Sequence, residues 1–208
     1  MADAAYEAMS KAKRQNESGN PKGAVDTLES YLATDPHNIP PRLLLANIII
    51  HGLGDEKYGL MQLDVILDLD PDNADALKAL VTVLARDKRN NKETDERFRK
   101  LIGIEPSGDV YNEYAKFLRH QMTDFKRAAE YYEKAIACDP KRYEYHQNYV
   151  VLLLNDLKDW EKAKSEMEIL LEMRPGDLAM RRNYDNLMSR KFDIYGNPKK
   201  GILSRMRR

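Results

Sequence analysis

Four histidines, one cysteine and a set of carboxylates at recurring positions are the residues of this 208-residue chain that could do chemistry. The histidines His37, His51, His120 and His146 are scattered, and none stands in the H-E-x-x-H spacing that sets two imidazoles on one helix face to hold zinc. The lone Cys138 excludes an internal disulfide framework and any multi-cysteine metal site, and it fits a reducing compartment. It lies two residues before Pro140, where Leu69, Ile104 and Met173 occupy matching places, so it is expected to be a small core residue. Asp70, Glu105 and Asp139 each directly precede a proline and are expected to belong to turns. There is no glycine-rich phosphate loop and no G-x-S-x-G elbow. Asn16-Glu17-Ser18 forms a glycosylation triplet, but it falls on an expected helix. Neither catalysis nor a metal or cofactor is expected.

Charge offers a different chemistry, that of recognition. Thirty-four Lys and Arg balance 34 Asp and Glu, although charged residues make up 33% of the chain. The balance is a cancellation. From Arg190 to Arg208 stand seven cations (Arg190, Lys191, Lys199, Lys200, Arg205, Arg207 and Arg208) and one acid, Asp193, which leaves 27 cations against 33 acids before them. Gly196, Asn197, Pro198 and Gly201 argue against a continuous helix there. A basic tail punctuated by Ile202, Leu203 and Met206 could touch RNA phosphate, an anionic membrane or an acidic protein. Hydrophobic residues at 42% are ample for a core. The start of the chain mixes Asp3, Glu7, Lys11, Lys13 and Arg14 without the apolar run of a signal peptide, and the longest apolar stretch, Leu43 to Ile50, is too short to span a bilayer. The expected location is the cytoplasm.

The elements that must position these residues follow from five prolines. Pro36, Pro71, Pro106, Pro140 and Pro175 close similar phrases at spacings of 35, 35, 34 and 35 residues. A period in this range marks stacked repeats. Twelve residues before each proline stand Ala24, Gly59, Thr94, Ala128 and Ala163, small enough for two helix backbones to approach. Leu28, Leu63, Phe98, Tyr132 and Met167 follow four residues later, then Tyr31, Ile66, Leu101, Ala135 and Leu170 three further on. Offsets of four and three trace one helical face. First helices are expected near 4–18, 39–52, 73–87, 107–120 and 141–156, and second helices near 21–34, 55–69, 91–104, 124–137 and 159–173. The extra residue of the 35-residue units is expected in the polar turn inside each unit, at HGLGDEK, DKRNNKE and LNDLKD. GDLAMRRNYDNLMSRKF after Pro175 reads as a sixth first-type helix that caps the stack.

DFKRAAEYYEKAIACDP and DWEKAKSEMEILLEMRP carry the strongest family likeness, with GNPKGAVDTLESYLATDP following the same pattern. On these residues the chain resembles the tetratricopeptide repeat, a helix-turn-helix unit of 34 residues. The family's Leu-Gly and Tyr are absent from the first helices LLLANIII, ALVTVLA, YNEYAKFLR and HQNYVVLLL, where only apolar periodicity survives. The resemblance implies an all-α fold, a right-handed superhelical solenoid of about five repeats (4–38, 39–73, 74–108, 109–142 and 143–177), a capping helix at about 177–191 and a basic tail over 192–208.

It also implies a concave groove lined by the first helices, suited to an extended peptide or a partner helix. The family's groove positions fall on Asn47, Ile50 and His51; Lys78, Thr82 and Arg86; Glu113, Phe117, His120 and Gln121; Gln147, Val151 and Asn155; then Arg182. Amides would bond a peptide backbone, and Lys78 and Arg86 would hold an acidic group. Some members grip a terminal carboxylate with paired Lys and Asn; here Thr82 follows Lys78, and Glu144 stands on the equivalent later face, so that mode is not expected. The resulting expectation is a protein-interaction scaffold without a small-molecule substrate. The alternative is an accessory factor using the tail on RNA, a ribonucleoprotein or an anionic membrane, and a further option is self-association through the helix after Pro175.

Overall fold

A computed structural model of the chain describes residues 2–199 and divides the chain into two compact units, Met1–Glu105 and Pro106–Arg208. The first holds α1 (Ala2–Glu17), α2 (Pro21–Leu32), α3 (Ile39–Ile48), α4 (Glu56–Leu69), α5 (Ala74–Leu84) and α6 (Asn91–Ile104). The second holds α7 (Gly108–Phe117), α8 (Phe125–Cys138), α9 (Tyr143–Leu152), α10 (Trp160–Met173) and α11 (Leu178–Lys191). Within each unit consecutive helices pack on one another as stacked hairpins, and no strand occurs among the described residues.

Four of the five second helices start on a side-chain cap, α6 being the exception. Asn20, Asp55, Asp124 and Asp159 accept from the backbone N–H three residues ahead, on Gly23, Tyr58, Arg127 and Lys162. Four of the second helices end two residues short of their closing proline. Asp70, Glu105, Asp139 and Arg174 leave helical backbone, and their N–H groups donate to the carbonyls of Ile66, Leu101, Ala135 and Leu170. Proline clashes with a helical residue before it, so each of these helices must stop there. The three carboxylates in that set therefore belong to turns, as the sequence implies.

The first helices α3, α7 and α9 end in a π turn, over Ile49–Leu53, Leu118–Met122 and Leu153–Leu157. Each turn is closed by a residue with positive φ: Gly54, Thr123 and Lys158. Side chains at the last two suffer a steric penalty that glycine avoids. The repeat ending at Pro106 instead places a 3₁₀ turn at Lys88–Asn90.

The one-residue irregularity lies elsewhere than expected. In every complete repeat the closing proline stands the same 33 residues after the first-helix N-cap: Asn38 to Pro71, Asn73 to Pro106, Ser107 to Pro140 and Arg142 to Pro175. The turn inside the repeat keeps the same length whether π or 3₁₀, and the residue is lost between Pro106 and Ser107. A first helix begins as soon as its cap is available, and Ser107, which accepts from Val110 N–H, supplies that cap one residue early.

The cores differ in kind. In the first unit Leu28, Leu45, Ile49, Leu63, Ile66 and Leu77 are fully buried, and the small residues Ala24 and Thr94 are sealed at their helix crossings. A Cβ on Gly59 would lie 2.2 Å from Ile50 Cγ1, so α4 can seat against α3 only with glycine there. In the second unit Tyr114, Tyr132, Tyr145 and Tyr149 fill the interior. Tyr114 meets Tyr131 edge-on at 4.6 Å between ring centroids. Cys138 is exposed, contrary to the expected core position. Ala135 is the last buried residue of α8, and the final turn has rotated its side chains outward; Leu69 and Ile104 are exposed at the matching places for the same reason.

Candidate partner-binding faces

In the first unit Asn47 and His51 stand one helical turn apart at the end of α3. With Asn16, Gly19, Pro21, Leu44, Ile48 and Gly52 they line a cleft of about 620 Å³. Its lining combines aliphatic side chains with two amides and an imidazole, a composition suited to a peptide backbone with one apolar side chain. Lys78 lies 2.7 Å from Glu105 and 3.8 Å from Asp75, and Arg86 pairs with Glu56. The exposed Thr82 hydroxyl donates to the Lys78 carbonyl at 2.8 Å. Arg86 and Glu56 also line a second cleft of about 530 Å³ with Leu60, Val83, Leu84 and Asp87. Both cations are thus already neutralised, but by exposed pairs that contribute little and exchange readily for another carboxylate.

Ile50 is only 4% exposed and packs beneath Gly59, so it presents nothing to a partner. Its burial is the counterpart of the missing Cβ on α4.

In the second unit Phe117 is likewise 4% exposed. The groove positions Glu113, Phe117 and Gln121 follow from counting forward from Pro106. The loop there is one residue short, and each residue turns a helix by about 100°, so the row shifts back by one. Counted from the cap, the row of Lys78, Thr82 and Arg86 corresponds in this repeat to Asn112, Lys116 and His120. Asn112 is buried and accepts from Asn148 Nδ2 at 2.9 Å, tying α7 to α9. Lys116 pairs with Glu113 at 2.8 Å. His120 is exposed, and its pKa is lowered by partial desolvation and by the neighbouring Arg119 guanidinium. In α9 and its π turn Gln147 and Asn155 are exposed and Val151 is half-buried, and Arg182 is exposed on α11.

Two contacts beside this row were not anticipated. Arg119 donates to Asp156 at 2.6 Å with both side chains largely shielded, joining the π turns of consecutive repeats. His146 is buried with Nδ1 2.6 Å from Glu166 Oε2 and Nε2 3.0 Å from the Pro140 carbonyl. Both neighbours are acceptors, so only the doubly protonated ring donates to both. Neither contact has a signal in the sequence, because the partners stand 37 and 20 residues apart in segments of unremarkable composition.

Tyrosine hydroxyls knit the repeats of this unit together. Tyr145 donates to Asp109, Tyr149 to Glu133 and Tyr184 to Glu168, each at 2.6 Å, and Tyr143 to Asp177 at 2.7 Å. Burial first, and then the nearby carboxylate, raises the pKa of Tyr145 and Tyr149, and that of Tyr184 to about 12. Glu133 is lowered by hydrogen bonds from Lys162 and Tyr149.

No protein-family profile matches the chain, and no curated protein does so. Solved structures do. A MamA RS-1 double mutant is 20% identical, with 85% of this chain and 98% of that one covered at a TM-score of 0.72. YrrB, described as a TPR protein with an unusual peptide-binding site, is 20% identical over 78% of this chain and 82% of its own at 0.63. A tetratricopeptide repeat protein from Parabacteroides merdae is 13% identical over 90% and 73% at 0.73. The fold is that of the tetratricopeptide repeat proteins.

In TPR terms the exposed rows described above are the first-helix faces of each unit. Of the basic tail residues, Lys199 is exposed and donates to the Ser189 carbonyl at 2.7 Å. Lys200, Arg205, Arg207 and Arg208 lie outside the described residues. No group of metal-ligating side chains and no helix long and apolar enough to cross a membrane occurs among the described residues.

Proposed function

We propose that the protein is a non-enzymatic scaffold that holds a partner protein's extended segment or helix against its first-helix faces. The observation that carries this reading is the cleft of about 620 Å³ in the first unit, which Asn16, Asn47 and His51 line together with Leu44, Ile48 and Pro21. Amides can pair with a peptide's own N–H and C=O groups while the apolar lining takes an aliphatic side chain. Lys78 and Arg86 add sites where an acidic partner displaces Glu105, Asp75 or Glu56. In the second unit the reading assigns the same task to Lys116, His120, Gln147, Val151 and Asn155. The fold shared with YrrB supports it, since that protein is described as having a peptide-binding site.

The test is affinity capture of partners from native extract with the wild-type chain, an N47A/H51A variant and a K78E/R86E variant. Both variants alter exposed or half-buried positions and are expected to melt like the wild type. Loss of the same captured protein from both supports the first-unit face, and an unchanged captured set overturns it.

A further inference from the structure

The C-terminal end of the second unit is an ordered, shaped surface. After α11 the chain folds back through a tight turn. The Asp193 N–H donates to the Asn197 carbonyl at 2.8 Å, the Lys199 N–H donates to the Lys191 carbonyl at 2.9 Å, and Phe192 and Pro198 form a β-bridge. Gly196 takes a φ of +81° at the bend. The Asp193 carboxylate turns inward and accepts from the N–H groups of Tyr195 and Asn197, both at 2.9 Å. Phe192 is buried as the anchor, while Ile194 and Tyr195 at the tip are 91% and 82% exposed.

Cations stand beside that turn. Lys164 Nζ lies over the Phe192 ring at 5.5 Å and is the atom nearest to where a Gly196 side chain would project. Lys191 and Lys158 both sit over the Trp160 ring, at 4.4 and 5.9 Å. Among the described residues none of Lys158, Lys164, Lys191 and Lys199 has a carboxylate partner, although ion pairs are common elsewhere in the unit. The one acid between Arg190 and Arg208 is Asp193, already committed to backbone N–H groups, and the sequence continues with Lys200, Arg205, Arg207 and Arg208 interleaved with Ile202, Leu203 and Met206.

An aliphatic and an amphipathic side chain held out together on a turn that neighbours lysines without a carboxylate partner have the composition of an interfacial anchor. From this arrangement we infer that this end of the second unit docks on an anionic lipid bilayer. Ile194 and Tyr195 enter the headgroup region while the lysines rest on lipid phosphates. Single-stranded nucleic acid fits less well, because it needs open aromatic faces. Tyr195 offers one such face, but Trp160 carries lysines over its ring, Phe192 is buried and Ile194 has no face to stack, so successive bases find no platform.

The full chain is to be sedimented with vesicles of phosphatidylcholine alone and with vesicles also containing phosphatidylglycerol. Binding is expected to the anionic vesicles only, and to weaken as salt rises. I194S/Y195S is expected to lower partitioning by about tenfold or more without moving the melting temperature, since both side chains are in solvent. K164E/K191E is expected to lower it by a similar factor, each charge near an anionic surface being worth about fivefold. Absence of binding to anionic vesicles overturns the proposal. So does binding that is unchanged in I194S/Y195S, which would leave only diffuse attraction by the tail. Displacement from the vesicles by a single-stranded RNA oligonucleotide whose own binding is lost in the same variants also overturns it, and assigns the surface to nucleic acid.

Discussion

The two units use one repeat to build two different interiors. Of the 12 tyrosines, Tyr6, Tyr31 and Tyr58 lie in the first unit and the other nine in the second. The first closes its hairpins by apolar close approach, most tightly where Ile50 occupies the space a Gly59 side chain would need. The second closes them with the buried rings of Tyr145 and Tyr149 and the half-buried ring of Tyr184, whose hydroxyls end on carboxylates of neighbouring helices. Charge divides along the same boundary. The first unit carries 14 cations and 18 acids, the second 20 and 16, so the chain's neutrality conceals −4 and +4. The backbone plan is thus indifferent to how the core is filled, but the response to perturbation is not.

The sharpest way to break the comparison is at Gly59. Gly59→Val places two methyl groups where Ile50 already sits, and is expected to cost about 3 kcal/mol by overpacking. Its effect should appear as faster amide exchange in α3 and α4; unchanged exchange there would mean that the close approach is not needed.

Alkali should act mainly on the other unit. In the unfolded chain tyrosines titrate near pH 10, whereas burial raises Tyr132, Tyr145 and Tyr149 further, and Tyr184 to about 12. Above pH 10 the unfolded state has released protons that the native state keeps, so stability falls as pH rises. The loss should be steeper for α7–α11 than for α1–α6, where only Tyr31 and Tyr58 are raised. Amide exchange measured across about pH 9 to 11 checks it, and equal slopes in the two units would refute the contrast.

Tyr149→Phe keeps the ring and deletes the bond to Glu133, with an expected cost of about 1.5 kcal/mol. Glu133 still has Lys162 at 2.8 Å. Because its folded pKa is lowered, the Glu133 contribution holds above the ordinary glutamate range and is lost as pH falls through the folded value. The variant's deficit should therefore shrink in acid, which urea unfolding at neutral and acid pH measures.

The smallest expected effect is a gain. Thr123 closes its π turn at φ 52° with a β-branched side chain where the first unit has Gly54. Thr123→Gly should stabilise by up to about 1 kcal/mol if relief of strain exceeds the added chain entropy. A lowered melting temperature would show that the Thr123 side chain contributes more than its backbone costs.

The chain's own letters determined the hairpins. Closing prolines, small residues at the crossings and apolar offsets of four and three recur in every repeat, and such a pattern survives a misplaced residue because it sums over a whole helix. They also located the polar faces of α5 and α9 and the basic end. What they could not convey is register across a loop. The residue missing after Pro106 turns α7 by about 100°, which buries Phe117 and moves the exposed row to Lys116 and His120. Nor could they convey pairings across tens of residues: Arg119 with Asp156, His146 with Glu166, or Ile50 with the gap at Gly59. The surface around Ile194 and Tyr195 belongs to the same class. Read linearly it is a basic tail, but tertiary structure folds it into a turn, because Asp193 finds two backbone N–H groups and Phe192 finds a place to be buried. Periodicity is a local property that a sequence carries; register and long-range pairing are set only when the helices pack.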